Sequence, residues 1–587
     1  MTTGGAVDVP TTLANGRRLS PVARRWVPVT PAILVLVAAA LIMVAQGAYS
    51  LPGNDDWAFS RVALGLDDQG EFRLIGAGRM TLIGHALWGQ PFLAAFGGGL
   101  AALHLANLAA AVIGVASVYD LALRTTASPR RAATAACAVA VMPGYALLST
   151  GFMTDTTAFA FAVMSVAVGV AALERQGLSR VVLLGGACAA GVAAVSSRQT
   201  AVAALAALGV GVLWQGLATR RLRVLGVDLI MILFATSLIV MMLGWRAGLP
   251  NQDPIPVSSF SSGALVVLAI ALVSLALGSA PSLWWLASGF RPLAGLAVLL
   301  TLPFAAAVVL TADRELLSGN TATRFGSPLG VLSGSKSPIF GRPVWDGLEV
   351  IALVTGAALA TWAVIALSRI RRSSLASARS STVLLVAFIV GSLATAVAPG
   401  VVGGNIFDRY LWAPAAGLLI LALGHPRSPA GRPGKVALAL ATTATLCALG
   451  TISLLAVVES GSFASARWRA GEAAVLAGAD PRLVDAGYEW TSWHADLPSP
   501  PTRSPAVSSS VSWWSQLYAP DVPCVIVMAS ELDDTRYRRR HQDTYRSFPW
   551  RAQKLLVYAQ VETCMSPSLA AVDGTSAARW MLTDLPD

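Results

Sequence analysis

The sequence has few charged residues for its length. Asp, Glu, Lys and Arg make up 12% of its 587 residues, whereas an average soluble protein carries about 25%. Hydrophobic residues make up 55%, and several apolar runs approach or exceed the roughly 18–20 residues that cross a bilayer. This balance excludes an ordinary soluble domain and predicts a polytopic α-helical membrane protein.

Cysteine is scarce, and no CxxC or His-rich metal motif is present among the five cysteines. Cys137, Cys188 and Cys447 lie in apolar runs, where a buried structural thiol is expected. Cys524 and Cys564 lie in a polar C-terminal region. If that region is outside the cytoplasm they can form a disulfide, but spacing alone does not fix the geometry, and the question stays open.

The apolar runs predict about 13 transmembrane spans separated by short polar loops. The chain shows no internal repeat. The shortest connection is the turn at residues 196–199, which makes that pair of spans the least secure. The predicted spans are 30–50, 97–122, 131–149, 155–173, 180–196, 199–217, 224–245, 261–279, 293–312, 345–368, 381–399, 407–423 and 434–457.

Basic residues explain the net charge of +11 and set a predicted orientation. Lys and Arg concentrate in alternate short loops, which the positive-inside rule places in the cytoplasm. No basic tract is interleaved with aromatic residues, so nucleic acid is not an expected partner. Four arginines precede the first apolar run, which indicates an uncleaved signal anchor, with a cleaved signal ending near residues 45–48 as the alternative.

The predicted protein is therefore a multi-pass plasma-membrane protein with its N-terminus inside. Residues 1–29 form a cytoplasmic tail, 30–457 a transmembrane domain, and 458–587 an extracytoplasmic domain of mixed α and β structure. A Pro- and Ser-rich linker at 498–510 lies inside that last domain. The long outer loop 51–96 contains two amphipathic stretches, which indicate helices lying in the membrane interface. They either pack on the bundle or admit a lipid-borne substrate.

Three carboxylates stand out on the predicted outer face: Asp55, Asp56 and Asp155. Acidic groups beside a membrane are costly to desolvate and need a reason. Each can simply cap a helix start. Taken together they favour acid–base chemistry or a divalent-cation site, for which Asp55 and Asp155 are the predicted ligands of Mg, Mn or Ca.

Two arginines on the same predicted face are candidate phosphate ligands. Arg198 lies between two apolar runs, and Arg409 follows Asp408; both can offer paired donors to a phosphate. The alternatives are snorkelling to lipid headgroups for Arg198 and a structural pairing with Asp408 for Arg409. Trp57, His85 and Tyr410 complete the candidate substrate-binding residues, although packing is the favoured interpretation of His85.

A cluster of aromatic residues at 488–494 follows the last predicted span. Its sequence is Tyr488-Glu489-Trp490-Thr491-Ser492-Trp493-His494. Anchoring at the membrane interface is the favoured interpretation, and stacking against a sugar ring is the alternative.

These motifs resemble those of the GT-C superfamily of polyprenyl-phosphate-dependent glycosyltransferases. The similarity is greatest to bacterial relatives of protein O-mannosyltransferases and aminoarabinose transferases (glycosyltransferase families 39 and 83). It rests on Asp55-Asp56 after span 1, Phe-Met-Thr-Asp ending at Asp155, Ser-Arg-Gln around Arg198, and Asp-Arg-Tyr-Leu around Arg409. The acidic pair is often Asp-Glu in the family but Asp-Asp here, and the Lys-Pro-Pro segment of the aminoarabinose branch is absent.

The resemblance implies an inverting sugar transfer from a polyprenyl-phosphate carrier to an acceptor hydroxyl of the cell envelope, on a glycan, lipid or protein. By this analogy Asp55, or else Asp56, takes the acceptor proton. Asp155 orients the acceptor or shares a metal with Asp55, and Arg198 and Arg409 stabilise the leaving phosphate. The alternative is a polytopic transporter or a lipid or polysaccharide flippase, whose ionisable groups usually lie near the bilayer midplane.

Overall fold

The computed structural model describes most of the helical region and part of the C-terminal region. The described residues are 26–75, 80–220, 222–249, 264–287, 305–306, 342–372, 379–401, 407–424, 432–495, 522–528, 532, 534–547 and 551–560.

Helices dominate the described residues. The first ten are α1 Thr30–Ala45, α2 Asp56–Gln69, α3 Ile83–Phe96, α4 Leu100–Thr126, α5 Pro129–Ala140, α6 Tyr145–Leu148, α7 Thr154–Leu173, α8 Gly177–Ser197, α9 Val202–Thr219 and α10 Leu222–Ala247. The others are α11 Ala264–Gly278, α12 Leu283–Ala287, α13 Arg342–Arg372, α14 Ser380–Val401, α15 Trp412–Gly424, α16 Arg432–Leu476 and α17 Tyr488–His494.

Nine helical segments of the described part are long and apolar enough to cross a membrane, which confirms a polytopic helical architecture. They are Val27–Ala45, Leu100–Thr126, Thr154–Leu173, Gly177–Ser197, Gln199–Thr219, Val224–Ala247, Asp346–Val364, Ser380–Pro399 and Val436–Leu476. The predicted spans at 261–279 and 407–423 coincide with the shorter helices α11 and α15, and nearly all of 293–312 lies outside the described residues. The number 13 therefore stays a prediction.

The predicted span 131–149 is broken in the structure. Helix α5 ends at Ala140, and the short α6 begins at Tyr145. Between them Pro143 has no backbone N–H to donate, and Gly144 adopts a left-handed φ of 76°. One continuous helix is therefore replaced by two pieces, and the chain beyond them turns toward α7.

Helix α7 lies at the centre of the described bundle, with most of its residues buried. It packs against α4, α8, α9, α14 and α15. Small residues allow this close approach: a Cβ added to Gly191 of α8 would lie 2.5 Å from Leu205 Cδ2 of α9 and 3.2 Å from Ser165 Oγ of α7. The start of α7 carries Asp155, so the most enclosed helix positions one of the predicted site residues.

The long predicted loop 51–96 contains two helices, as the amphipathic pattern indicated. Helix α2 buries Trp57, Phe59 and Val62, and α3 packs on α4 and α8. The indole of Trp88 in α3 donates to the carbonyl of Ala106 in α4 at 2.8 Å. Both helices thus pack on the bundle, which is the first of the two roles expected for them.

Helix α16 is continuous for 45 residues, about 68 Å at 1.5 Å per residue. That is more than twice the roughly 30 Å of a hydrocarbon core, so the helix projects beyond any bilayer that it crosses. The predicted boundary at 458 falls within it. Its C-terminal half, with Phe463, Ala466 and Ala470, packs against the C-terminal sheet.

The C-terminal region contains the expected mixture of helix and strand. Four strands, β1 Val484–Asp485, β2 Val525–Met528, β3 Tyr537–Ser547 and β4 Arg551–Gln560, form one sheet in the order β1-β2-β4-β3. The β1–β2 pair is parallel and the other two pairs are antiparallel. Cys524 is disulfide-bonded, whereas its predicted partner Cys564 and the linker 498–510 lie outside the described residues.

Candidate active site

The two acids of the first loop have different surroundings. Asp56 begins α2, and its side chain is fully buried. Its carboxylate accepts hydrogen bonds from Ser60 Oγ at 2.6 Å, the Gly53 N–H at 3.3 Å and His104 Nε2 at 2.7 Å. Burial opposes ionisation, but the ion pair with His104 and these hydrogen bonds outweigh it and lower the pKa of Asp56.

Asp55, in contrast, keeps 23% of its side chain exposed. The residue before it, Asn54, has a left-handed φ of 57°, which asparagine tolerates better than most residues. This turn lets Asp55 and Asp56 point to different partners although they are adjacent. Asp55 is therefore the acid of this pair that remains accessible, while Asp56 anchors the loop.

Asp155 lies in the first turn of α7 and is almost completely buried. Its Oδ1 is 2.8 Å from Arg198 Nη1, and its Oδ2 is 3.3 Å from Arg409 Nε. The two candidate phosphate ligands thus meet at one carboxylate. Asp155 therefore holds both arginines in place. Its negative charge is also stabilised by its position at a helix N-terminus.

Arg198 lies at the break between α8 and a 3-10 turn, Gln199–Ala201, with extended backbone angles. Its side chain is buried, which excludes snorkelling to lipid headgroups. Besides Asp155, it donates to Thr154 Oγ1 at 3.2 Å and lies 4.4 Å over the Tyr410 ring. The short turn between two helices therefore serves to direct this arginine inward.

Arg409 lies in a 3-10 turn, Asp408–Leu411, that precedes α15. Its side chain is 1% exposed and lies between Asp155 and Asp55, with Nη2 3.5 Å from Asp55 Oδ2. The Asp408 carboxylate accepts instead from the backbone N–H of Arg409 at 2.9 Å. The structural Asp408–Arg409 pairing is thus a backbone contact, and the guanidinium bridges the two distant acids.

A cavity opens beside the charged cluster of Asp155, Arg198 and Arg409. It is bounded by α7, α14 and the turn that carries Arg409. Its charged lining residues are Asp155, Arg198 and Arg409, and Tyr410, Ser392 and Thr395 add polar groups. Arg409 Nη1 is buried and makes no hydrogen bond to any described residue. A buried guanidinium nitrogen without an acceptor favours an anion next to it.

Residues 85–245 match the family model of dolichyl-phosphate-mannose-protein mannosyltransferases. For that segment the match confirms the resemblance to the mannosyltransferase-like branch of the GT-C superfamily. It includes Asp155 and Arg198, whereas Asp55 and Arg409 lie outside it. With the apolar helices, the match identifies an integral membrane protein.

Three solved structures are similar over much of the chain. ArnT from Cupriavidus metallidurans bound to undecaprenyl phosphate has 14% identity and a TM-score of 0.39, covering 92% of this chain and 99% of its own. ArnT from the same organism in the apo state has 15% identity and a TM-score of 0.38, covering 91% of this chain and 98% of its own. The third is archaeal oligosaccharyltransferase AglB from Archaeoglobus fulgidus, in complex with an inhibitory peptide and a dolichol-phosphate. It has 14% identity and a TM-score of 0.31, covering 75% of this chain and 58% of its own. Such scores support no residue-by-residue comparison. No curated protein matches the sequence.

His85, the first residue of the matched segment 85–245, does not contact the charged cluster of Asp55, Asp155, Arg198 and Arg409. It is fully buried, stacked on Phe152 with ring centroids 3.7 Å apart, and its Nδ1 is 2.9 Å from Thr157 Oγ1. Burial lowers the pKa of His85 to about 4, so the ring is neutral at physiological pH. His85 is thus placed as the packing interpretation expected, and not at the cavity.

The other two aromatic candidates differ from each other. Tyr410 lines the cavity under Arg198. Trp57 is fully buried and packs edge-to-face against Tyr488, with centroids 6.0 Å apart. Tyr410 is therefore placed to meet a ligand, whereas Trp57 supports the residues around Asp55.

Two residues of α4 were not predicted from the sequence but organise the site. His104 contacts two acceptors, the Tyr49 carbonyl through Nδ1 at 2.6 Å and the Asp56 carboxylate through Nε2 at 2.7 Å. Asn107 donates to the carbonyls of Leu148 and Gly151. They hold the acidic loop and the turn before Asp155, respectively. The available signal was their spacing: polar residues three positions apart in an apolar span share a face and require partners.

The C-terminal region also reaches the site, which the sequence did not indicate. Tyr488 Oη donates to Asp55 Oδ1 at 3.1 Å. Its neighbour Trp490 is 2% exposed, and its ring packs at 4.9 Å from that of Trp468. The predictions of interfacial anchoring and of sugar stacking both require exposure, so Trp490 fits neither; it is a core residue.

The predicted cation site has an unfavourable donor set. Among the described residues, no three His, Cys, Asp or Glu side chains converge. Arg409 also lies between Asp55 and Asp155, and its positive charge occupies the position that a cation would take. These residues therefore do not fit a resident divalent cation in this arrangement, and a metal requirement stays a prediction.

Proposed function

We propose that the protein is a membrane glycosyltransferase that moves a sugar from a polyprenyl-phosphate carrier to an acceptor hydroxyl outside the cytoplasm. The observation that carries this proposal is the bridge formed by Arg409 between Asp55 and Asp155 at an arginine-lined cavity. Arg409, a candidate phosphate ligand, is therefore in direct contact with Asp55, the candidate base. The family match over residues 85–245 supports the same class of reaction.

The phosphate of the carrier would lie in the cavity against Arg198 and Arg409. Both guanidinium groups are buried, so their attraction to an anion is screened little by water. As the bond between the anomeric carbon and the phosphate oxygen breaks, negative charge develops on that phosphate. Two fixed cations stabilise the charge without having to move.

Asp55 would take the acceptor proton. The acceptor oxygen bonds to the anomeric carbon while its O–H proton passes to the Asp55 carboxylate, and polyprenyl phosphate leaves. Attack from the face opposite the phosphate inverts the anomeric centre. Asp55 suits this role because it is partly exposed, whereas Asp56 is sealed and paired with His104. A positioned base contributes roughly 10²–10⁴-fold.

Asp155 would act through the two arginines. Its carboxylate contacts both guanidinium groups and is almost completely buried, so it is less suited than Asp55 to bind the acceptor directly. The cluster lies at helix ends and turns, which favours the glycosyltransferase over the transporter alternative.

The test is transfer of a radiolabelled sugar from a polyprenyl-phosphate donor in proteoliposomes. Asp55→Asn should lower kcat by at least 10²-fold, because the amide cannot accept the proton. Asp68→Asn is the matched control, since Asp68 is an exposed acid of the same helix α2 and should leave transfer unchanged. Wild-type-like transfer by Asp55→Asn, in protein that extracts and unfolds normally, contradicts the assignment of the base.

A further inference from the structure

The two oxygens of Asp55 have partners from two later parts of the chain, the turn before α15 and the helix α17. Oδ2 lies 3.5 Å from Arg409 Nη2, and Oδ1 accepts a 3.1 Å hydrogen bond from the Tyr488 hydroxyl. Tyr488 is 5% exposed, and its ring packs edge-to-face on Trp57. The hydroxyl is therefore held by packing on one side and directed at the carboxylate on the other.

A second contact ties the same helix to the residue before Asp55. Glu489 Oε1 accepts the backbone N–H of Asn54 at 3.0 Å, and Glu489 is itself paired with Arg467 of α16. Asn54 has the left-handed φ that separates Asp55 from Asp56. Glu489 thus supports the strained turn, while Tyr488 contacts the carboxylate itself.

The far end of α17 is attached as well. Arg61 Nη1 of α2 lies 3.4, 3.3 and 3.1 Å from the carbonyl oxygens of Ser492, Trp493 and Ala495. These carbonyls end the helix and carry its partial negative charge, which an arginine stabilises. The short helix is therefore attached to α2 and to the acidic loop at both of its ends.

The structure assigns to Tyr488 a positioning function: its hydroxyl fixes the orientation of the Asp55 carboxylate, and α17 makes the C-terminal region part of the active site. This rests on the proposed function, in which Asp55 takes the acceptor proton. A carboxylate held by a hydroxyl on one oxygen and a guanidinium on the other has one orientation. Without the hydroxyl it can rotate toward Arg409, and the reactive geometry is populated less often.

The test compares Tyr488→Phe with Tyr537→Phe. Both remove one buried tyrosine hydroxyl of the C-terminal region, since Tyr537 Oη donates to the Pro523 carbonyl at 2.6 Å in the sheet, away from Asp55. In the transfer assay Tyr488→Phe should lower kcat about 10- to 100-fold with the KM for the lipid donor unchanged, because the donor meets the arginines. Tyr537→Phe should keep the wild-type kcat.

Hydrogen exchange provides a readout that does not depend on activity. Amides of residues 51–56 should exchange faster in Tyr488→Phe than in the wild type, and at the wild-type rate in Tyr537→Phe. A kcat within twofold of the wild type, or unchanged exchange in the loop, overturns the positioning function. If the wild-type protein transfers no sugar but the loop loosens only in Tyr488→Phe, the proposed function fails while the contact to the loop stands.

If Tyr488→Phe does not fold, Arg61→Gln provides a second variant. It loosens α17 from α2 without touching Asp55, and it should likewise lower kcat at constant donor KM and raise exchange in residues 51–56. Normal kcat and exchange in this variant count against the positioning function as well.

Discussion

Replacing Arg409 by lysine tests whether the geometry of its guanidinium, and not only its charge, is needed. In the structure two different nitrogens reach two acids: Nε lies 3.3 Å from Asp155 Oδ2, and Nη2 lies 3.5 Å from Asp55 Oδ2. A lysine ammonium is a single point of charge, so Arg409→Lys can satisfy only one of the two carboxylates at a time.

The expected loss follows from that one missing contact. A hydrogen bond to a charged group contributes about 1.5–3 kcal/mol, which converts to roughly a 10- to 100-fold fall in kcat/KM. Arg409→Met removes the charge entirely and leaves buried Asp155 with Arg198 alone. Both contacts are then lost, so the fall in kcat/KM should be larger than for Arg409→Lys, about 10²-fold or more.

The assay is sugar transfer in proteoliposomes, with the donor varied at saturating acceptor. Arg124→Lys is the matched control, because Arg124 also bridges two acids, Asp120 at 2.7 Å and Glu174 at 2.8 Å, away from the site. That variant should keep wild-type kcat/KM. Arg409→Lys with full activity, or Arg409→Met no worse than Arg409→Lys, refutes the bridging role.

Two further predictions concern stability and are measured by thermal unfolding in detergent. The pKa of Asp56 is lowered in the folded state, so its contribution to stability is present above the unfolded pKa of about 3.9 and disappears as the pH falls through the lower folded value. Asp56→Asn should therefore unfold at a lower temperature than the wild type at pH 7, and its midpoint should fall less on acidification. An unchanged unfolding midpoint at pH 7 contradicts the stabilising pair with His104. Gly191→Ala places a methyl group 2.5 Å from Leu205 and should lower the free energy of unfolding by about 1–3 kcal/mol. Gly209→Ala is the control, because a Cβ there has no atom within 4 Å and should leave the stability unchanged. Equal unfolding midpoints for the two variants count against the close packing of α8 on α9.

The membrane architecture could be predicted because it depends on local composition. Apolar runs of sufficient length identify spans whatever they pack against, and nine such helices are found in the described part. Helix breaks were harder to predict. The span expected at 131–149 is two helices because Pro143 and Gly144 act within an otherwise apolar run. A hydropathy average over that run does not detect them.

The site was predictable in part, for a similar reason. Polar residues are rare beside apolar spans, so Asp55, Asp155, Arg198 and Arg409 were conspicuous, and the structure brings all four together. The contribution of Tyr488 was not predictable, since 433 residues separate it from Asp55. A tyrosine in a polar C-terminal region carries no local sign of such a contact.

The sequence by itself determined that this is a polytopic helical membrane protein with acids and arginines at the ends of its spans. Only the tertiary structure decided how those groups are paired. Asp55 and Asp56 are adjacent, yet one is partly exposed beside Arg409 and the other is buried with His104. The reason is physical: hydropathy is a property of each segment, whereas burial and ion pairing depend on which distant segments pack together.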